Sequence, residues 1–257
     1  LRLAQKAFRG QIPFPLLHID TTFEFAEVYE FRDWFVKEIG ADLIVYKNEA
    51  AVAANANPYD LGTQRCCGVL RTEALLQGLK RGSYDAAIGG ARRDEERSRA
   101  KERVFSFRDR FGQWEPRNQR PELWSLFNGR VAPGESIRVF PLSDWTEIDV
   151  WRYIAREQIP IVPLYFAQER EVVVRGDQVI PLQSSSKLLP GEHAERIMCR
   201  FRSLGCTPCT GAIRSTAQTV EEIIEEMLAV RTSERAGRVI DHDTDGSMEI
   251  KKREGYF

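Results

Sequence analysis

The stretch GGARRDEERSRAKER, Gly89 to Arg103, places six basic and four acidic side chains directly after two glycines. Two chemistries compete for it. On a solvated helix, pairs such as Glu95–Arg99 and Asp94–Arg97 would add only about 0.3 kcal/mol each. At the end of a buried strand the same residues make an anion site. Gly89 and Gly90 would let a ligand approach the backbone, and the amides from there through Ala91 would point at it. Arg92 and Arg93 would offer forked donors to sulfate or phosphate. The run YDAAIGG reads as such a strand, which favours the anion site. Arg92 and Arg93 are its foremost candidates, followed by Arg97, Arg99 and Lys101. FRDRFGQWEPRNQRPELW then continues as a long loop bearing arginine and tryptophan, of the kind that covers a site.

Cysteines are the second chemical signal. Four of the five fall in two close pairs, Cys66–Cys67 in RCCGVLRTEAL and Cys206–Cys209 in LGCTPCTGA. Close pairs and an odd total, in a chain this long, point to a reducing compartment and to thiol or metal chemistry rather than a disulfide framework. Unligated thiols would behave as small buried hydrophobes. A zinc site is awkward, because adjacent cysteines strain tetrahedral closure. Cys199 reads as packing. His18, inside the apolar run FPLLHID, reads as a core histidine, and His193 and His242 fall in loop and tail.

These residues need elements to position them. FPLLHID (14–20), LIVY (43–46) and YDAAIGG (84–90) read as buried strands, and IRVFPL (137–142) as a later one. Helical spacing runs from Phe23 to Ile39, with Gly40 as its stop, and from Cys67 to Lys80. Thr146 and Asp149 form a capping-box-like start to another helix. EVVVRGDQVIPL (171–182) predicts a hairpin turning near Gly176, and Thr219–Val230 a short helix. Strands alternating with helices predict an α/β fold, a doubly wound, mostly parallel sheet, with ligands beyond the carboxyl ends of its strands. Asp20 and Gly89–Gly90 sit at such ends. The tail from Arg231 is polar and nearly aperiodic, and is expected either to be disordered or to fold onto a partner.

Composition narrows the class. With 42% hydrophobic and 29% charged residues the chain is an ordinary globular protein, and its net charge of −1 gives no bulk drive toward nucleic acid or membrane. No apolar run approaches a membrane span. LRLAQKAF reads as mid-helix without a cap, so residues are expected before Leu1.

The segments LLHIDTTFEFAEVYEFRDWF, YDAAIGGARRDEERSRAKERVFSFRD, NQRPELW, ESIRVFPLSDWTEIDVWRYI, IPIVPLYFAQER and TSERAGRVIDHDTDGSMEIKKREGYF together resemble the small subunit of bacterial sulfate adenylyltransferases. The resemblance implies the PP-loop, N-type ATP pyrophosphatase fold, whose Ser-x-Gly-Lys-Asp-Ser loop would precede Leu1. It implies a nucleotide-binding domain over 1–185 and a C-terminal extension over 186–257, with helix 219–230 and a partner-docking tail. It implies a cytoplasmic enzyme that joins sulfate to the α-phosphate of ATP, with magnesium, to give adenylyl sulfate and pyrophosphate. His18, Ile19, Asp20 and Thr21 would lie beside the adenosine, and GGARRD at the phosphate and sulfate end. The partner implied is a large, GTP-binding subunit, an elongation-factor-like GTPase; this chain has no GxxxxGK[ST] motif of its own.

The cysteines depart from that pattern. Cys66, Cys67, Cys206 and Cys209 resemble the 4Fe–4S ligands of adenylyl-sulfate reductases, relatives on the same fold. A reductase is therefore the alternative reading, although no cysteine follows Cys209 to take the sulfonate. A non-catalytic nucleotide-binding subunit that regulates the GTPase is the third.

Overall fold

The computed structural model describes residues 1–96, 99–182, 188 and 190–229. Arg97 and the tail beyond Ala229, two of the features singled out above, lie outside the described residues. The chain folds into two compact units, one containing 1–47 and the described residues from Trp151 onward, the other containing 48–150.

The first unit opens with helix α1 (Arg2–Ala7), strand β1 (Leu16–Ile19), helix α2 (Ala26–Ile39) and strand β2 (Leu43–Tyr46). β1 and β2 pair in parallel, from Leu16 opposite Leu43 to Ile19 opposite Tyr46, so the expected strand–helix–strand unit is present. Gly40 ends α2 at φ 63°, a left-handed conformation that glycine adopts without a Cβ clash. The helix starts three residues later than its apolar spacing suggests. Asp20 and Thr21 take the backbone N–H groups of Thr22 and Phe23 onto their side-chain oxygens, and this turn precedes the first helical hydrogen bonds.

In the second unit, Asn48 caps helix α3 (Glu49–Ala53) and Asn57 caps helix α4 (Pro58–Cys67) through the N–H groups of Tyr59 and Asp60. The helix expected over Cys67–Lys80 is interrupted: Gly68–Glu73 forms a π-helical turn before α5 (Ala74–Arg81). Strands β3 (Ala86–Ile88), β4 (Phe105–Arg108) and β5 (Ser136–Val139) make a sheet of order β3-β5-β4, with β3 parallel and β4 antiparallel to β5. Helix α6 (Glu147–Glu157) begins as its sequence predicts. Thr146 N–H donates to Asp149 Oδ2 at 2.9 Å, and Asp149 N–H donates to Thr146 Oγ1 at 3.3 Å.

The first unit resumes with strands β6 (Gln168–Arg175), β7 (Gln178–Pro181), β8 (Glu195–Arg200) and β9 (Ile213–Arg214), an antiparallel sheet of order β7-β6-β8-β9. Arg175 faces Gln178 across Gly176–Asp177, the hairpin turn expected there. Phe25, Leu164, Val172, Val179, Cys199 and Phe201 form its core, with the rings of Phe25 and Phe201 5.0 Å apart. Each such side chain contributes roughly 1.5–3 kcal/mol by leaving water. Burial pushes the Cys199 thiol up, away from reactivity. Helix α7 (Val220–Ala229) packs Ile223 against Trp151 and Ala217. Among the described residues no helix is long and apolar enough to cross a membrane.

Candidate active site

The carboxyl end of β1 is built around a saturated carboxylate. Asp20 continues the ladder by donating its N–H to Tyr46 O at 2.9 Å. Its Oδ1 accepts from Tyr29 OH at 2.6 Å and from Thr22 N–H at 2.8 Å, while Lys47 Nζ lies 3.0 Å from Oδ2. Burial by itself would raise the Asp20 pKa, but Tyr29, Thr22 and Lys47 favour the anion and hold it below the ordinary carboxylate value. Asp20 therefore shapes the strand end. It holds Thr22 in a left-handed conformation, φ 67°, that a threonine rarely adopts.

A pH effect follows. A depressed carboxylate stabilises the fold above its unfolded pKa of about 3.9, and that stability is lost as pH falls through the lower folded value. Asp20→Asn is expected to cost about 1.5–3 kcal/mol at pH 7. Urea unfolding should show the deficit shrinking as pH drops below 4. A deficit unchanged at pH 3 would remove Asp20's charge from the account.

Thr21 and Cys206 meet beside this strand end. Thr21 is 1% exposed, and its Oγ1 lies 3.1 Å from Cys206 Sγ. Thr207 N–H donates to Phe23 O at 2.7 Å, and Cys209 N–H to Cys206 O at 2.9 Å, so the Cys-x-x-Cys turn is tied to the segment after β1. No spacing in the sequence announced this contact between residues 185 positions apart. The ring of His18 stands edge-on to Tyr29, with centroids 6.2 Å apart.

In the second unit, β3 runs into the glycine loop as the sequence implies, but it is not the buried strand expected, since Ala86 and Ile88 are exposed, Ile88 at 53%. Gly89 N–H donates to Val139 O at 2.9 Å, and a Cβ placed on Gly90 would meet no atom within 4 Å, so the backbone there borders open space. Arg92 and Arg93 diverge beyond Ala91. Arg92 is buried, and its N–H reaches Glu95 Oε2 at 3.4 Å. Arg93 is a tether. Its Nη1 pairs with Asp144 at 2.8 Å, its Nε donates to Glu102 O at 2.9 Å, and its N–H to Ser143 O at 2.9 Å. Asp94 receives Glu147 N–H at the first turn of α6, fastening the same loop to the next. Lys101 is exposed, whereas Arg99 is 4% exposed and 3.6 Å from Glu95.

Sequence reasoning missed Arg108 and Arg138. Both are 1% exposed, on β4 and β5. Burial lowers Arg108; Glu102 opposes that and Arg99 adds to it. Burial, with Arg108 beside it, brings Arg138 down to about 9. The available signal was FSFR, where apolar and polar residues alternate; its polar side was readable only as solvent-facing.

The cysteine pairs are distributed two to each unit, Cys66 and Cys67 in α4, Cys206 and Cys209 around a 3₁₀ turn. Among the described residues no group of three or more His, Cys, Asp or Glu side chains is placed to hold a metal ion.

Residues 1–212 match the family model for the phosphoadenosine phosphosulfate reductase domain. The chain is 60% identical over 259 residues to sulfate adenylyltransferase subunit 2 of Myxococcus xanthus, covering 100% of this chain and 85% of that one. It is 57% identical to the protein of that name from Akkermansia muciniphila and 58% identical to that from Stutzerimonas stutzeri, in each case across 100% of this chain and 86% of the relative. The chain belongs to the sulfate adenylyltransferase subunit 2 family. With the strand–helix alternation above, this membership bears out the α/β class. The relatives' shared name says that they are adenylyltransferases, which favours the transferase reading over the reductase, and that each is the second subunit of its enzyme.

Proposed function

We propose that the chain transfers the adenylyl group of ATP to sulfate. A sulfate oxygen attacks the α-phosphorus, the bond from that phosphorus to the β-bridging oxygen breaks, and pyrophosphate leaves with the bonding electrons. Sulfate is already a dianion, so the step needs no general base. The obstacle is repulsion between sulfate and the triphosphate, which fixed cationic donors reduce while holding the nucleophile in line. The identity of 57–60% across the whole chain to relatives named for this activity carries the reading.

Within it, the end of β1 with His18, Asp20 and Thr21 receives the adenosine. Gly89, Gly90 and Ala91 bring backbone to the phosphates, and Arg92 contacts the anionic groups. Arg93 positions that loop through Asp144, and Arg97 and Lys101 supply outer positive charge. Magnesium accompanying the triphosphate supplies further neutralisation. The reaction is strongly uphill, so we assign its driving force to a GTP-hydrolysing large subunit in the cytoplasm, docked on the 186–257 extension.

The test is pyrophosphate release from ATP by the purified chain with its large subunit. Release should require sulfate and rise with GTP. Thiol-dependent sulfite release from adenylyl sulfate would instead establish the reductase, and nucleotide binding without turnover the regulatory subunit.

A further inference from the structure

Three arginines of the second unit are gathered out of water, and no step above uses them together. Ser106 of β4 stands opposite Arg138 of β5, and Arg108 lies two residues beyond Ser106, so all three leave the same face of the sheet. Their relative exposures are 0%, 1% and 1%. Arg99, at 4%, lies near enough for its charge to act on Arg108, and Arg108 acts in turn on Arg138.

Carboxylates hold part of this cluster. Glu102 Oε1 accepts from Ser106 Oγ at 2.6 Å and from Arg108 Nη2 at 3.3 Å, and Glu95 stands 3.6 Å from Arg99 Nε. Among the described residues Arg99 Nη1 and Arg108 Nε reach no hydrogen-bond acceptor, though both atoms are buried. Removing a guanidinium from water is costly unless charge and hydrogen bonds replace its hydration. A fold that gathers buried guanidinium groups with N–H donors to spare is suited to an anion that arrives later. Planar forks with fixed N–H directions match the oxygens of a tetrahedral oxyanion.

We infer that Arg99, Arg108 and Arg138 form an enclosed seat for a tetrahedral oxyanion, either sulfate or a phosphate group of the nucleotide. Glu102, braced through Ser106, fixes Arg108 within it. Only the identity of the anion rests on the proposed adenylyl transfer; the seat itself is argued from burial, register and charge. The competing account is a purely structural ion cluster that fastens β4 to the segment before it.

Thermal unfolding of the full chain separates the two. Sodium sulfate and inorganic pyrophosphate are compared with sodium chloride at matched ionic strength. Sulfate or pyrophosphate should raise the wild-type Tm beyond chloride, with a dependence on concentration that gives an apparent affinity. Arg138→Met removes one of the repelling charges, so it should unfold at or above the wild-type temperature without anion. Its anion affinity should fall by about tenfold or more. Arg138→Lys keeps the charge without the fork and should fall between wild type and Arg138→Met; it serves as the test if the methionine variant does not fold. An Arg138-dependent response to sulfate assigns the seat to sulfate, and one to pyrophosphate alone assigns it to the nucleotide.

A folded variant with the wild-type anion response overturns the proposal, as does a wild type that answers these anions no more than chloride. Sulfate-dependent pyrophosphate release is measured in parallel. If it is absent while the Arg138-dependent stabilisation persists, the transferase reading fails and the seat stands.

Discussion

Arg92→Ala is expected to slow sulfate-dependent pyrophosphate release by about 10²–10³-fold, the usual effect of deleting one fixed donor to developing charge. Arg92 follows a strand end at which backbone and open space meet, Gly89 on the β5 ladder and Gly90 with room above it. Arg93→Ala provides the contrast. Its guanidinium already holds Asp144 and the carbonyl of Glu102, so the variant loses two tethers of the loop and should lose stability along with turnover. If Arg92 touches the anion and Arg93 holds the loop, kcat/KM for sulfate falls in the Arg92 variant, and the Arg93 variant loses Tm as well as kcat/KM. Near-normal turnover in Arg92→Ala would take Arg92 out of the site.

That contrast shows how far sequence patterns reach. The two arginines are adjacent and chemically identical, so spacing ranked them together. What separates them is Asp144 and Ser143, some fifty positions along, brought into range by the parallel pairing of β3 and β5. Elements whose signal is local were legible. The Thr146–Asp149 box, the Gly40 stop and the Gly176 turn each depend on a few neighbouring residues, and each appears where expected.

Signals that depend on the partner strand were not legible. FSFR alternates as a half-exposed strand would, yet its polar side is as buried as its apolar one, because Glu102 and Ser106 replace water for Arg108. The stretch from Cys67 to Lys80 has helical periodicity throughout, but period alone does not report the extra residue per turn that opens a π-helical segment at Gly68–Glu73. The Cys206–Thr21 contact has the same origin. Each residue lies in an ordinary local pattern, and only the tertiary fold makes them neighbours.

Glu226→Ala should produce the largest loss of stability among the substitutions considered, about 3 kcal/mol. Arg200, at the end of β8, is 1% exposed, and among the described residues its guanidinium pairs with one carboxylate, from α7. Nη2 donates to Glu226 Oε1 at 2.7 Å and Nε to the same oxygen at 3.2 Å. The other oxygen, Oε2, accepts from Ser215 Oγ, which itself receives Ala217 N–H at 3.1 Å. Alanine leaves a buried cation without its counter-charge, a change that typically costs about 3–5 kcal/mol. The lower end applies because the Glu226 side chain is 24% exposed and water can partly replace it. Against a total stability of about 5–15 kcal/mol this is a large fraction. Glu226→Gln retains an acceptor and should cost less than half as much. Replacing Arg200 as well, by methionine, should recover much of the loss, since the stranded charge then disappears with its partner. Urea unfolding of the three variants measures this directly. A loss under about 1 kcal/mol in Glu226→Ala, the range of an exposed ion pair, would mean that α7 is held by Ile223 and its apolar neighbours alone, with the ion pair incidental to it.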